Sequence, residues 1–121
     1  MSVDLSSLPA PVQERLLRLQ QLQQTLQAVL TQKQQVEFDL TEVNQALEEL
    51  DKVSEDTVVF KSTGSLLVET KKPKVIVELN EKKEILNMRI DVLGKQEEKL
   101  RTQVKGLQTR LQQDLKPLTP S

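Results

Sequence analysis

The sequence predicts a mainly α protein with a small β-hairpin, in which a long antiparallel two-helix coiled coil is joined by that one hairpin. Three observations carry the prediction. Two segments place apolar residues at alternating three- and four-residue steps; the stretch TVVFKSTGSLLVET, residues 57–70, lies between them and reads as strand, turn and strand; and the two periodic segments are nearly equal in length, with prolines at their outer ends. The expected organisation is a single domain over 1–121: a flexible N-terminal tip at 1–10, helix 1 at 11–53, the hairpin at 57–70, helix 2 at 73–116 and a flexible C-terminal tip at 117–121.

Helix 1 follows Pro9 and Pro11, which mark its start. Its strict three-four register falls on Val12, Arg15, Leu19, Leu22, Leu26, Val29, Lys33, Val36, Leu40, Val43, Leu47 and Leu50. All but Arg15 and Lys33 are apolar, and no Pro or Gly interrupts the run, so a coiled-coil helix about 58 Å long follows at ~1.5 Å per residue.

The hairpin comes next. Val58, Val59 and Phe60 on one side, and Leu66, Leu67 and Val68 on the other, flank Ser62-Thr63-Gly64-Ser65. A type I turn at Ser62-Thr63 with Gly64 in the left-handed conformation gives a three-residue loop closed by Lys61 opposite Ser65. In that register Phe60 faces Leu66 and Val58 faces Val68, which puts four apolar side chains on one face and Val59 with Leu67 on the other.

Helix 2 follows Pro73 and carries the same register at Ile76, Leu79, Lys83, Leu86, Ile90, Leu93, Glu97, Leu100, Val104, Leu107, Leu111 and Asp114. Pro117 and Pro120 close it. Gly94 and Gly106 inside it each weaken the helix by about 1 kcal/mol relative to Ala and permit close contact or bending. The short basic cluster Lys71, Lys72 and Lys74 at its start reads as a solvated element boundary.

An antiparallel fold-back pairs residues at matched distances from the turn. The charges that interrupt the seams then meet as Arg15 with Asp114 and Lys33 with Glu97, and Lys83 meets Glu48, which lies near the seam. That register differs by a few residues from the one proposed for the hairpin, so the Glu69–Pro73 connection must absorb the offset. In the competing reading, the seam Lys and Arg side chains extend their apolar stems along the coil and reach water alone.

Composition narrows function. The chain has no Cys and no His, so the usual metal ligands, thiol nucleophiles and imidazole proton carriers are missing, and the expectation is no enzyme, no metal and no cofactor. With 17 basic and 18 acidic side chains interspersed, it has no strong positive field for nucleic acid. No apolar run approaches membrane-spanning length and MSVDLSSLPAP does not read as a signal peptide, so a cytoplasmic protein without a membrane partner is expected.

A lone two-stranded hairpin is marginal in water, and this one has apolar groups on both faces and two open edges. Edge-to-edge pairing of hairpins from several subunits into a closed β-barrel removes that exposure; packing of the hairpin on its own helices is the alternative. The second place where apolar residues exceed local need is the outer end of the coil. There Leu5, Leu8, Val12, Leu16 and Leu17 converge with Leu111, Leu115 and Leu118, as an adhesive patch or as ordinary terminal seam.

The pattern resembles the prefoldins, and among them the β-type subunit of the archaeal complex. The resemblance covers nearly the whole chain and rests on two long helices around one hairpin, on VVFKSTGSLLV at 58–68, and on QLQQTLQAVLTQKQQVEFDLTEVNQALEEL at 21–50. It implies a hexamer of two α-type and four β-type subunits, whose hairpins build β-barrels and whose coiled coils hang from them. It also implies capture of unfolded client proteins at the tips without ATP, and their transfer to a group II chaperonin. By that resemblance the assembly positions are Val58, Val59, Phe60, Lys61, Gly64, Leu66, Leu67 and Val68; the client-binding tips, carried over by location, are Leu5, Leu8, Val12, Leu16, Leu111, Leu115 and Leu118. A structural spacer or filament subunit without client binding is the alternative function. Several weak apolar tips around one cavity bind an extended client through avidity, and non-directional contact suits a partner defined by being unfolded.

Overall fold

In the computed structural model, which describes residues 5–116, a single 3-10 turn at Leu5–Ser7 precedes a 42-residue helix α1, Ala10–Asp51. Strands β1, Val58–Thr63, and β2, Leu66–Lys71, follow as an antiparallel pair, and a 44-residue helix α2, Lys72–Leu115, completes the chain. The architecture is two long helices joined by one hairpin.

Two compact units make up the chain: a terminal unit, Met1–Gln32 with Leu93–Ser121, and a hairpin unit, Lys33–Val92. In the terminal unit Val12, Val29, Leu93, Val104 and Leu111 are buried. In the hairpin unit the buried set is Val36, Val43, Leu50 and Leu86. Each such side chain contributes about 1.5–3 kcal/mol on leaving water. Every one of the twenty-four positions assigned to the two seams by spacing is buried or half-buried, so the three-four alternation locates the inner face of both helices. Within that face Arg15, Lys33, Lys83, Glu97 and Asp114 are half-buried.

The start of α1 is set by proline and by a side-chain cap. The Val12 and Gln13 amides both donate to the Pro9 carbonyl at 3.0 and 3.1 Å, and Pro11 occupies the first turn, where no amide is needed. The Gln13 side chain donates to the carbonyls of Leu8, at 2.7 Å, and Ser6, at 3.4 Å, which ties the 3-10 turn to the helix. At the other end, α1 unwinds through i to i+3 bonds from Lys52 and Val53, and a turn closed by the Thr57 amide on the Ser54 carbonyl at 3.1 Å leads into β1.

The hairpin register differs from the sequence expectation. Val58 pairs with Lys71, Phe60 with Glu69, Lys61 with Val68 and Thr63 with Leu66, which leaves a two-residue turn, Gly64-Ser65, instead of a three-residue loop. Gly64 has φ of 60° and Ser65 does not have positive φ; glycine first in a two-residue loop is the signature of a II′ turn, whose twist matches the flanking strands. The pairing is displaced by an odd number of residues, so it exchanges the faces of β2. Phe60 therefore lies opposite Glu69 rather than Leu66, and Val58 opposite Lys71 rather than Val68. Three apolar side chains fall on each face instead of four on one: Val58, Phe60 and Leu67 share one, and Val59, Leu66 and Val68 the other.

The connection to α2 also departs from expectation. β2 ends at Lys71 and α2 begins at Lys72, so no spare residues intervene, and Pro73 sits in the first helical turn, where its fixed φ is tolerated. A methyl group at Gly94 or Gly106 would meet no atom within 4 Å, which rules out close helix contact as the reason for either glycine.

Candidate functional site

Two surfaces gather the residues singled out by sequence. The first is the hairpin. Val58, Phe60, Leu66, Leu67 and Val68 are all strongly exposed in the single chain, from 47% at Val68 to 74% at Leu67, and only Val59 of the six apolar side chains is half-buried. The hairpin is thus not covered by its own helices. Both outer edges of its two-stranded sheet also carry unpaired backbone donors and acceptors.

One face of the hairpin is nonetheless anchored. Lys61 Nζ donates to Glu78 Oε2 of α2 at 3.0 Å. That hydrogen bond, with the charges of Lys61 and Lys74, holds the Glu78 carboxyl below its ordinary value against the opposing effect of desolvation. Lys61, Ser62, Val75, Glu78, Leu79 and Lys82 line the notch between β1 and α2.

A residue that the sequence reading took as solvated proves buried. Lys72 is 8% exposed; its Nζ donates to the Val53 carbonyl at 2.9 Å and lies 3.7 Å from Glu55 Oε1. The first residue of α2 thus caps the unwinding end of α1, where carbonyls lack helical partners. No spacing signal points to it, because its acceptor is a backbone oxygen.

The second surface belongs to the terminal unit. Leu8, Val12 and Leu111 are buried against one another, with Leu16, Leu19 and Leu115 packed around them. Leu5 is 65% exposed and Leu17 is 58% exposed; with Ser6, Gln13, Leu16 and Gln20 they line an open groove. Leu118 lies outside the described residues. Of the expected tip residues, then, Leu5 presents its side chain to solvent, Leu16 and Leu115 do so in part, and Leu8, Val12 and Leu111 form the small core beneath them. Arg15 pairs with Asp114 between the helices beside this cluster, and Arg110 approaches the other Asp114 oxygen at 3.5 Å.

Sequence reasoning missed exposed apolar residues on the helices of the hairpin unit. Val77, Ile85, Met88 and Val92 line one outer face of α2, and Phe38 stands exposed on α1. Ile85, Met88 and Val92 follow at three- and four-residue steps, with Val77 eight residues before Ile85 on the same stripe, and that spacing was the available signal, masked by the stronger seam on the opposite face.

The comparisons with known proteins agree with this architecture. The prefoldin subunit family model matches residues 13–117. The chain is 51% identical over 113 residues to prefoldin subunit beta of Archaeoglobus fulgidus, covering 93% of this chain and 97% of that protein. It is 42% identical over 115 residues to the Pyrococcus furiosus prefoldin subunit beta, covering 95% and 98%. Among solved structures, the prefoldin beta subunit from Thermococcus strain KS-1 superposes with a TM-score of 0.81 at 41% identity, over 95% of this chain and 98% of that one. The chain belongs to the prefoldin subunit family. Its likeness within that family is to β-type subunits. Among the described residues, no helix is long and apolar enough to cross a membrane.

Proposed function

We propose that this chain is the β-type component of a chaperone hexamer, with two α-type and four β-type subunits, that works in the cytoplasm and captures unfolded polypeptides without ATP. The family role is that of a chaperone subunit, and prefoldin subunits assemble with one another. The finer steps are argued from the two surfaces. The observation that carries the reading is the hairpin: five exposed apolar side chains on a two-stranded sheet with open edges are stable only when further strands cover them. Val58, Phe60 and their neighbours act as the assembly device, with Gly64 shaping its turn and Lys61 fixing it to α2.

Clients meet the terminal unit. Leu5 and Leu17 offer apolar surface in an open groove, and the Leu8, Val12 and Leu111 core holds that groove in place. Release to a group II chaperonin follows from weakness: each groove contributes little, several together retain an extended chain, and a competing partner displaces them one at a time.

The test is aggregation suppression with the assembled complex. The double variant Leu5→Ser/Leu17→Ser should keep the native mass of the wild type and lose protection of a chemically unfolded client. The alternative, a coiled-coil spacer, draws on the burial of Leu8, Val12 and Leu111 in an ordinary terminal seam. It predicts a wild-type complex with no protection to lose.

A further inference from the structure

We infer that Gln13 is the positioning residue of the terminal groove: its side-chain amide holds the Leu5–Ser7 turn against α1, and so places Leu5 where an apolar side chain of an extended polypeptide can lodge against it. The inference rests on the client-binding reading of the groove given above and adds the residue that builds it.

The groove has two walls of different origin. Gln13, Leu16, Leu17 and Gln20 stand at i, i+3, i+4 and i+7 and form one face of α1, while Leu5 and Ser6 of the 3-10 turn form the opposite wall. A helix face alone is convex, so the concavity exists only while the turn stays against the helix. Three residues closed by one long bond, from the Leu8 amide to the Leu5 carbonyl at 3.3 Å, do not hold themselves there.

Two contacts hold the turn. Leu8 is buried against Val12 and Leu111, which fixes the point where the chain enters α1 but lies beyond the turn itself. Gln13 reaches back past that point: its Nε2 donates to the Leu8 carbonyl at 2.7 Å and to the Ser6 carbonyl at 3.4 Å. A primary amide suits the task because one nitrogen carries two hydrogens, one for each carbonyl. Ser6 lines the groove beside Leu5, so the bond to its carbonyl ties the outer wall directly to α1.

The chemistry of the groove selects its occupant. None of its six lining residues carries a charge, and its volume of about 260 Å³ lies below the ~300–1,000 Å³ of a small-molecule pocket. The leucines receive an apolar side chain, and the Gln20 amide, with both a donor and an acceptor, suits the main chain beside it. An unfolded segment offers both groups together, whereas a charged ligand meets no counter-ion there.

Gln13→Glu separates positioning from folding. The carboxylate keeps the side chain's shape, has no hydrogen to donate and repels both carbonyl oxygens, yet an acidic residue in the first turn of α1 favours the helix. The experiment uses the complex assembled with an α-type prefoldin subunit, and reduced, carboxymethylated α-lactalbumin as a permanently unfolded probe. Gln13→Glu should leave the native mass unchanged and Tm equal or higher, speed amide hydrogen exchange over residues 5–8, and raise the Kd for the probe about tenfold, the equivalent of one leucine contact. Leu5→Ser should raise Kd equally, and Leu5→Ser/Gln13→Glu should bind no more weakly than Leu5→Ser alone, because Gln13 acts through Leu5. If Leu5→Ser weakens binding while Gln13→Glu does not, or if the two losses add, the positioning role is overturned and the groove reading stands. A lower Tm or unchanged exchange over residues 5–8 in Gln13→Glu overturns it as well. If Leu5→Ser leaves Kd unchanged, the groove reading falls and the inference falls with it.

Discussion

Arg15 and Asp114 form an ion pair between the two helices at matched distances from the turn: Arg15 lies as far before Gly64 as Asp114 lies after Ser65. The pair is also shielded, with side-chain exposures of 28% for Arg15 and 15% for Asp114. Removing either partner strands a half-buried charge. Arg15→Ala and Asp114→Ala should each lower stability, and a double-mutant cycle in urea should return a coupling of about 0.5–3 kcal/mol. Additive losses would mean that the two side chains act independently.

Gly94 and Gly106 should be replaceable at a gain. With open space where a methyl group would stand, alanine at either position brings only its helix propensity, about 1 kcal/mol each. Thermal unfolding should show a higher Tm for Gly94→Ala and for Gly106→Ala. A lower Tm would reveal a requirement for glycine outside the local packing.

Lys72 should behave as a structural cap. Lys72→Met keeps the stem but removes the donor to the Val53 carbonyl, at a cost of about 1–3 kcal/mol for a part-buried acceptor left unpaired. Lys74→Met, at an exposed position two residues on, should cost much less. Equal losses in chemical denaturation would assign the effect to basic charge rather than to the cap.

The Lys61 anchor should weaken in acid. Hydrogen bonding to Lys61 lowers the Glu78 value in the folded chain below the ordinary 4.5. The stabilisation is therefore fully present above 4.5 and is lost as pH falls through the lowered value. Stability compared between wild type and Glu78→Gln should differ above that range and converge below it. Both groups are solvent-accessible, so salt should shrink the difference. A pH-independent difference would exclude the ion pair as its source.

The helical part of this fold was legible because a three-four alternation puts residues on one stripe wherever the helix continues. Every assigned seam position from Val12 to Asp114 lost solvent accordingly. The hairpin was legible in kind but not in register. Ser62-Thr63-Gly64-Ser65 admits glycine either at the end of a three-residue loop or at the head of a two-residue one, and the strands flanking it have no strict alternation to choose between them. That ambiguity moved Leu66 and Val68 away from Phe60. Lys72 was illegible for a different reason: its partner is a backbone carbonyl whose position depends on where α1 unwinds. At the terminal unit, spacing located Val12 and Leu111, and location at the tip singled out Leu8, but neither distinguished the buried core from the groove of Leu5 and Leu17 above it.

Assembly through the hairpin is the centre of the account, and Phe60 probes it most directly. Phe60 is 60% exposed in the single chain, so Phe60→Asp leaves the two helices intact and opposes only contacts made with other subunits. Native mass spectrometry of the chain with an α-type prefoldin subunit should show the hexamer for the wild type. Phe60→Asp should show only dissociated, still helical chains. A native hexamer that persists with Phe60→Asp would contradict the assembly role of the hairpin.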